Sequence, residues 1–320
     1  MPVRIGFVGA GGIANHHMRT IAQIEEARMV AFCDVAEGKA LAAASAYGGK
    51  AYARHQDMYE GEKLDAVYIC LPPFAHDRQE LDAIERGLPI FVEKPVATTL
   101  KKAREILSAA QARGIITAVG YHWRYMDTTQ QAKTRLDDRP VGFALGSWTG
   151  GMPGVSWWRV LEQSGGQMVE QTTHIFDLAR YLMGEVKSVH ALARTGLMAG
   201  VENYSVHDAS VANLSFASGA IASITSACLL SAGGQVGLDL YLKDAVLRLD
   251  SRTLTIEHPK GKEILNLGNN PTLEEDRAFI QAVSSGDPSS IRSDYADAVK
   301  TLELTLATTR SAQEGRVVDL

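Results

Sequence analysis

The first 120 residues alternate short runs rich in β-branched and aromatic residues with stretches of helical spacing. Val3–Val8, Met29–Cys33, Ala66–Leu71, Ile90–Val92 and Ile115–Val119 read as strands, with helices between them at Ile13–Glu25, Glu37–Tyr47, His76–Arg86 and Leu100–Arg113. Several of these strands are apolar at every position, as strands are when helices cover both faces of a parallel sheet. The first half therefore predicts a doubly wound α/β domain.

After Tyr121 the rhythm changes. A Gly- and Trp-rich stretch, Gly142–Trp158, precedes a helical pattern from Gln167 to Met183. Strand-like runs follow at Val206–Phe216, Ala220–Leu229, Val236–Leu242, Val246–Leu249 and Thr253–Ile256, and turn signals such as Ala217-Ser218-Gly219 between them predict an antiparallel sheet. Two helical segments, Leu273–Ser284 and Tyr295–Gln313, close the pattern, with Gly315 as a stop signal. Two domains are expected, residues 1–121 and 122–320.

Composition narrows the partners. The 320 residues are 46% hydrophobic and 22% charged, which suffices for two cores. A net charge of -5 without runs of like charge gives no footprint for nucleic acid or an anionic membrane surface. No apolar run approaches the ~18 residues of a membrane span. Met1–Gly9 leads straight into a strand signal rather than an export signal, and Cys33, Cys70 and Cys228 are widely separated among apolar neighbours. Buried thiols in a reducing cytoplasm are the expectation.

The first chemistry-bearing motif is Gly9-Ala10-Gly11-Gly12-Ile13-Ala14, between the first strand and the first helix. Glycines there let the backbone approach a pyrophosphate, whose charge the N–H groups at the helix start can hold. Asp34 ends the second strand 20 residues after Ala14, where a carboxylate can accept from adenosine ribose hydroxyls. The same charge repels a 2′-phosphate, and no Arg or Lys immediately follows, so NAD is favoured over NADP. The glycine turn alone is equally a tight turn without a ligand; turn, helix and acid together are specific.

Further along stand Ala66-Val67-Tyr68-Ile69-Cys70-Leu71-Pro72-Pro73-Phe74-Ala75-His76 and Phe91-Val92-Glu93-Lys94-Pro95. With the opening turn, and with Gly165-Gly166 before a helix bearing His174 and Asp177, they resemble the glucose-fructose oxidoreductase, inositol dehydrogenase and rhizopine-catabolism oxidoreductase family across almost the whole chain. The resemblance implies a Rossmann domain followed by an α/β domain with a large open, mostly antiparallel sheet that mediates homodimers or homotetramers. It also implies a last helix that packs back on the first domain. The implied reaction is hydride transfer on a sugar, inositol or related polyol, with Lys94 beside the reacting carbon and a cis bond before Pro95. Leu71, Pro72, His76, Glu93 and Lys94 join Gly9, Gly11, Gly12, Ile13 and Asp34 as expected cofactor contacts, and no metal is implied.

Alcohol oxidation needs a base for the hydroxyl proton and a stabiliser for developing charge on oxygen. Lys94, at the carboxyl end of a parallel strand, suits the stabiliser. Glu170, His174 and Asp177 fall at i, i+4 and i+7, so one continuous helix would align them on one face, with His174 as acid/base and Glu170 assisting. The family's commoner pattern has Asp four residues before that His; Glu170 keeps the charge and moves it by a methylene. Tyr121, His122, Arg124, Trp157, Trp158 and Arg159 supply aromatic faces and donors suited to a polyhydroxylated ligand, and Glu170, His174 and Asp177 complete the expected substrate contacts. His16 and His17, adjacent on one helix, point about 100° apart and lack an acidic partner at ligand spacing, so they read as structural. The same residues would also serve NAD-assisted glycoside cleavage or a redox-silent dinucleotide and sugar sensor.

Overall fold

The computed structural model describes residues 1–137 and 139–320. Among these the chain divides into two compact units, residues 1–122 with 270–299, and residues 123–269 with 300–320. The first unit thus takes back a stretch that a single cut after residue 121 gives to the second.

In the first unit the order is β1 (Val3–Val8), α1 (Gly12–Ile21), β2 (Ala27–Cys33), α2 (Glu37–Tyr47), β3 (Lys50–Tyr52), α3 (His55–Gly61), β4 (Ala66–Ile69), α4 (Gln79–Glu85), β5 (Ile90–Val92), α5 (Leu100–Arg113) and β6 (Thr117–Val119). The six strands form a wholly parallel sheet in the order β3-β2-β1-β4-β5-β6, the doubly wound arrangement. β4 and β5 are buried at every position, which is why their sequences carry no alternation. Caps set the helix ends: Thr99 accepts from the Lys102 amide at the start of α5, and Gly114 ends it at φ +61°. Sequence patterning missed β3 and α3. A three-residue edge strand and a helix of seven are too short for either period to show.

In the second unit come α6 (Asp127–Leu136), β7 (Phe143–Thr149), α7 (Leu161–Ser164), α8 (Gln167–Glu170), α9 (Thr173–Met183), β8 (Val186–Arg194), β9 (Ala209–Phe216), β10 (Ile221–Ala227), β11 (Gln235–Tyr241), β12 (Val246–Asp250), β13 (Thr253–His258) and β14 (Gly261–Asn266). α10 (Pro271–Ser285) folds with the first unit, capped by Asn270 and begun by Pro271. α11 (Tyr295–Glu314) gives its first five residues to the first unit and the rest to the second, ends at Gly315 with φ +65°, and leads to β15 (Val318–Asp319). The second sheet has nine strands in the order β14-β13-β12-β11-β7-β10-β9-β8-β15, antiparallel except for the β7/β10 pair.

One face of this sheet is core, where Ala144, Ala212, Leu214, Ala222, Ile224, Leu238 and Leu240 pack with Ile175, Phe176, Leu178 and Ala179 of α9. Gly146 on β7 makes room for that helix, since a Cβ there would stand 2.7 Å from Ile175 Cγ2. The opposite face leaves Phe143, Leu145, Val211 and Ile221 exposed.

Candidate functional site

The glycine turn has the conformation its sequence demands. Gly9 sits at φ +92°, and a Cβ on it would be 2.4 Å from the Cys70 carbonyl oxygen. The Gly9 amide donates to the Cys33 carbonyl at 2.8 Å, and the Ala10 amide to Asp34 Oδ2 at 2.9 Å. Asn15 closes the turn from below, its side-chain amide reaching the Ala10 and Gly11 carbonyls at 3.0 and 2.8 Å.

Above the turn the backbone is open: a Cβ on Gly11 or Gly12 would meet nothing within 4 Å. α1 starts with no side-chain cap and no acid in its first turn, and Ile13 is exposed beside it. A helix start of this kind accommodates a phosphate anion, so the cradle fits the pyrophosphate of a dinucleotide. Asp34 accepts from the Ala10 amide and, at 2.8 Å, from the Ala36 amide, which leaves lone pairs for ribose hydroxyls. Val35, directly after it, is 96% exposed.

Next along the strand ends, Leu71 and Pro72 are half-buried, whereas the His76 ring is fully buried and bonded through Nδ1 to Glu80. Burial opposes charge on that ring, but the Glu80 carboxylate outweighs it and raises the His76 pKa. His76 accordingly ties the 72–76 loop to α4.

Glu93 departs from expectation. Named as a cofactor contact, it is 5% exposed and turned inward, with Oε1 2.9 Å from His17 Nε2 and Oε2 accepting from the Lys94 amide at 3.0 Å. Lys94, half-buried, follows it, and the Lys94–Pro95 bond is cis. His17, which local sequence spacing leaves without an acidic partner, has two: Glu93, and Asp276 of α10 at 2.8 Å from Nδ1. Burial works against a charged His17, yet the facing Asp276 and Glu93 carboxyl groups hold its pKa well above the usual value.

Glu275 lies close enough that ligand atoms of His17, Glu93 and Glu275 fall within 4.8 Å of one another. Both nitrogens of His17 already face carboxyl groups, and burial keeps the Glu275 carboxyl protonated well above its usual range, so as they stand they offer a cation little. Tyr121 is buried at the end of this unit. His122 follows it, pushed down to about 4 by burial, which Glu93 opposes and Lys94, His17 and His16 reinforce.

In the second unit the expected single helix is two. α8 ends at Glu170, the chain turns at Gln171 and Thr172, and α9 begins at Thr173, so Glu170 and His174 do not share one regular helical face. The turn is pinned to the sheet by Gln167, whose amide donates to the Trp148 and Ala227 carbonyls, and by Ser226 donating to Thr172 at 2.8 Å. His174 is 4% exposed and stacks on Trp148, ring centroids 5.6 Å apart. Trp148 was not among the sequence candidates, and the pattern offered no signal for it.

Asp177 is tied to a guanidinium and a hydroxyl. It receives both arms of the Arg124 guanidinium at 2.7 and 2.6 Å and the Thr301 hydroxyl at 2.9 Å, so Arg124 and Asp177, expected at the substrate, form a buried ion pair. Trp158 is likewise a packing residue, 1% exposed against Val206 and Cys228, and its indole N–H donates to Glu170 Oε2 at 2.7 Å. Trp157 and Arg159 flank it half-buried.

Residues 3–121 match the family described as "Oxidoreductase family, NAD-binding Rossmann fold", and residues 129–248 match "GFO/IDH/MocA C-terminal domain". The chain belongs to the Gfo/Idh/MocA oxidoreductase family. Within that family it is 28% identical to inositol 2-dehydrogenase of Rhizobium meliloti across the whole of both chains. It is 25% identical to myo-inositol 2-dehydrogenase of Thermotoga maritima, over 99% of this chain and 98% of that protein. Among solved structures, levoglucosan dehydrogenase in complex with NADH and levoglucosan superposes with a TM-score of 0.92 at 18% identity, over 100% of this chain and 99% of that one, a likeness of fold. Like other members' first domains, residues 3–121 form an NAD-binding Rossmann fold, and the chain is an NAD-dependent oxidoreductase. Among the described residues no helix is long and apolar enough to cross a membrane, and all three cysteines are free and buried.

Proposed function

We propose that this oxidoreductase moves hydride between NAD(H) and a secondary alcohol or ketone of a sugar, an inositol or a sugar derivative. The observation that carries the reading is Lys94 at the carboxyl end of β5, its amide held by Glu93, in the sheet whose β1–α1 turn is built for a dinucleotide. The inositol dehydrogenases similar to it over their whole length support the substrate class.

Bound NAD(H) would supply the hydride acceptor or donor, with Gly9, Gly11, Gly12 and Ile13 at its pyrophosphate, Asp34 at its ribose, and Leu71 and Pro72 as further contacts. The Lys94 ammonium stabilises the oxygen that becomes negative as its proton leaves. His174, its ring plane fixed on Trp148, is the acid/base in this reading. Glu170, held through Trp158, and the half-buried Trp157, Arg159 and His122 serve the hydroxylated ligand.

Nicotinamide absorbance followed across a panel of inositols, sugars and sugar acids tests this. Turnover is expected with NAD and weakly with NADP, and Lys94→Ala should lower kcat/KM on the best substrate by roughly 100-fold or more. Unchanged turnover in that variant would remove Lys94 from the chemistry.

A further inference from the structure

We propose that His17 is a positioning residue for Lys94: clamped between Asp276 and Glu93, it aligns the Glu93 carboxylate that holds the Lys94 backbone amide. The catalytic consequence rests on the role given to Lys94 above; the structural link does not.

The chain of contacts is continuous and lies inside one unit. Asp276 on α10 faces His17 Nδ1 at 2.8 Å and also receives the Thr20 hydroxyl; His17 Nε2 faces Glu93 Oε1 at 2.9 Å; Glu93 Oε2 receives the Lys94 amide at 3.0 Å. The carboxylate has little room to swing. A Cβ on Gly120, just past the end of β6, would stand 2.6 Å from Oε1, so the bare backbone there packs close against the Glu93 carboxylate.

His17 also sits on the helix whose first residues form the dinucleotide turn. One rigid element therefore carries the pyrophosphate cradle at its start and, five residues on, the grip on the Lys94 strand end. Movement of α1 relative to β5 would disturb the lysine and the cofactor cradle together. A purely structural filler does not need this arrangement, because burying an imidazolium among carboxyl groups is costly and well-packed apolar side chains of similar volume serve stability as well.

Two isosteric halves of the histidine separate positioning from packing. In His17→Gln the terminal amide takes the place of Nε2 and keeps a donor toward Glu93; in His17→Asn it takes the place of Nδ1 and keeps only the link to Asp276. Hydrogen–deuterium exchange of the segment around Lys94, read on the whole cofactor-free protein, reports the amide directly. H17N should exchange there at least about fivefold faster than the wild type and H17Q within about twofold, although both unfold at similarly lowered temperatures.

In turnover H17N should lose roughly 10- to 100-fold in kcat with little change in KM, and H17Q far less. Equal exchange in H17N, H17Q and the wild type overturns the proposal, as does equal acceleration in the two variants. Should H17N not fold, Asp276→Asn loosens the far end of the same chain and must raise exchange at Lys94 for the proposal to stand. If exchange behaves as stated while kcat does not change, the positioning is right and the role of Lys94 is wrong.

Discussion

The six-stranded sheet buries its central strands on both faces, and in its unit the buried carboxyl groups of Glu93 and Asp276 meet an imidazole; the nine-stranded sheet buries one face, and in its unit the buried Asp177 carboxylate meets a guanidinium. Both devices solve the same problem, since an acid far from water must be paired and hydrogen-bonded. They differ in what pH can do to them. A guanidinium stays charged at every working pH, whereas an imidazole changes charge near neutrality, so pH reaches the first pairing through its histidine.

The largest effect is expected where the pair cannot neutralise itself. Arg124→Leu leaves Asp177 buried with only the Thr301 hydroxyl among the donors described above, and should cost about 3–5 kcal/mol in denaturant unfolding. Adding Asp177→Leu removes the orphaned charge and should recover much of that loss. A cost below about 1 kcal/mol for the single variant would mean that Arg124 holds nothing at this position and is available to a ligand after all.

A smaller effect, with a definite sign, is expected from the first unit. His122 is held down to about 4, below its unfolded value near 6.5, so its contribution to stability is complete above pH 6.5 and is lost as pH falls through about 4. His17 has the opposite sign: raised when folded, its contribution is present below pH 6.5 and disappears as pH climbs through the folded value. Thermal unfolding measured from pH 4 to 9 should therefore show His122→Phe flattening the acid limb by up to about 3 kcal/mol, and His17→Gln flattening the alkaline limb. The converse assignment of limbs, or a pH profile untouched by either change, would break the contrast between the two networks.

Sequence periodicity captured this contrast only in part. β1, α2, β5 and α5 are bounded as the pattern predicts, because strongly periodic or wholly apolar runs between turn residues leave little choice. β8 was missed because Lys187, His190 and Arg194 interrupt its run of apolar residues, and β7 was hidden in a Gly- and Trp-rich stretch. The glycine turn and Asp34 were legible because a dinucleotide cradle is local in sequence. The Asp276–His17–Glu93 chain was not, since its bonds join residues 259 and 76 positions apart. Arg124 and Asp177 carried chemistry-bearing side chains in a suggestive place, but their mutual pairing across 53 positions was equally out of reach of any local pattern.

The smallest effect on folding is expected on the uncovered side of the nine-stranded sheet, where it should be the largest on assembly. In register across three strands, Leu145 lies opposite Ser223, Phe143 opposite Ile221, and Thr225 opposite Val211, so the exposed apolar side chains form one surface with short polar residues between them. Phe143 stacks on Tyr241 of the next strand at 4.2 Å, which flattens that surface further. Contiguous apolar area of this kind suits a contact surface, and a second copy of the same sheet would cover it by symmetry. Leu145→Lys places a charge at its centre while costing the protomer less than about 0.5 kcal/mol, because the side chain is already 46% exposed. Sedimentation at micromolar concentration should show a dimer or tetramer for the wild type and a smaller species for the variant. A wild type that sediments as a monomer would leave the open face without a symmetric partner, and the two sheets would then differ in burial for a reason unrelated to assembly.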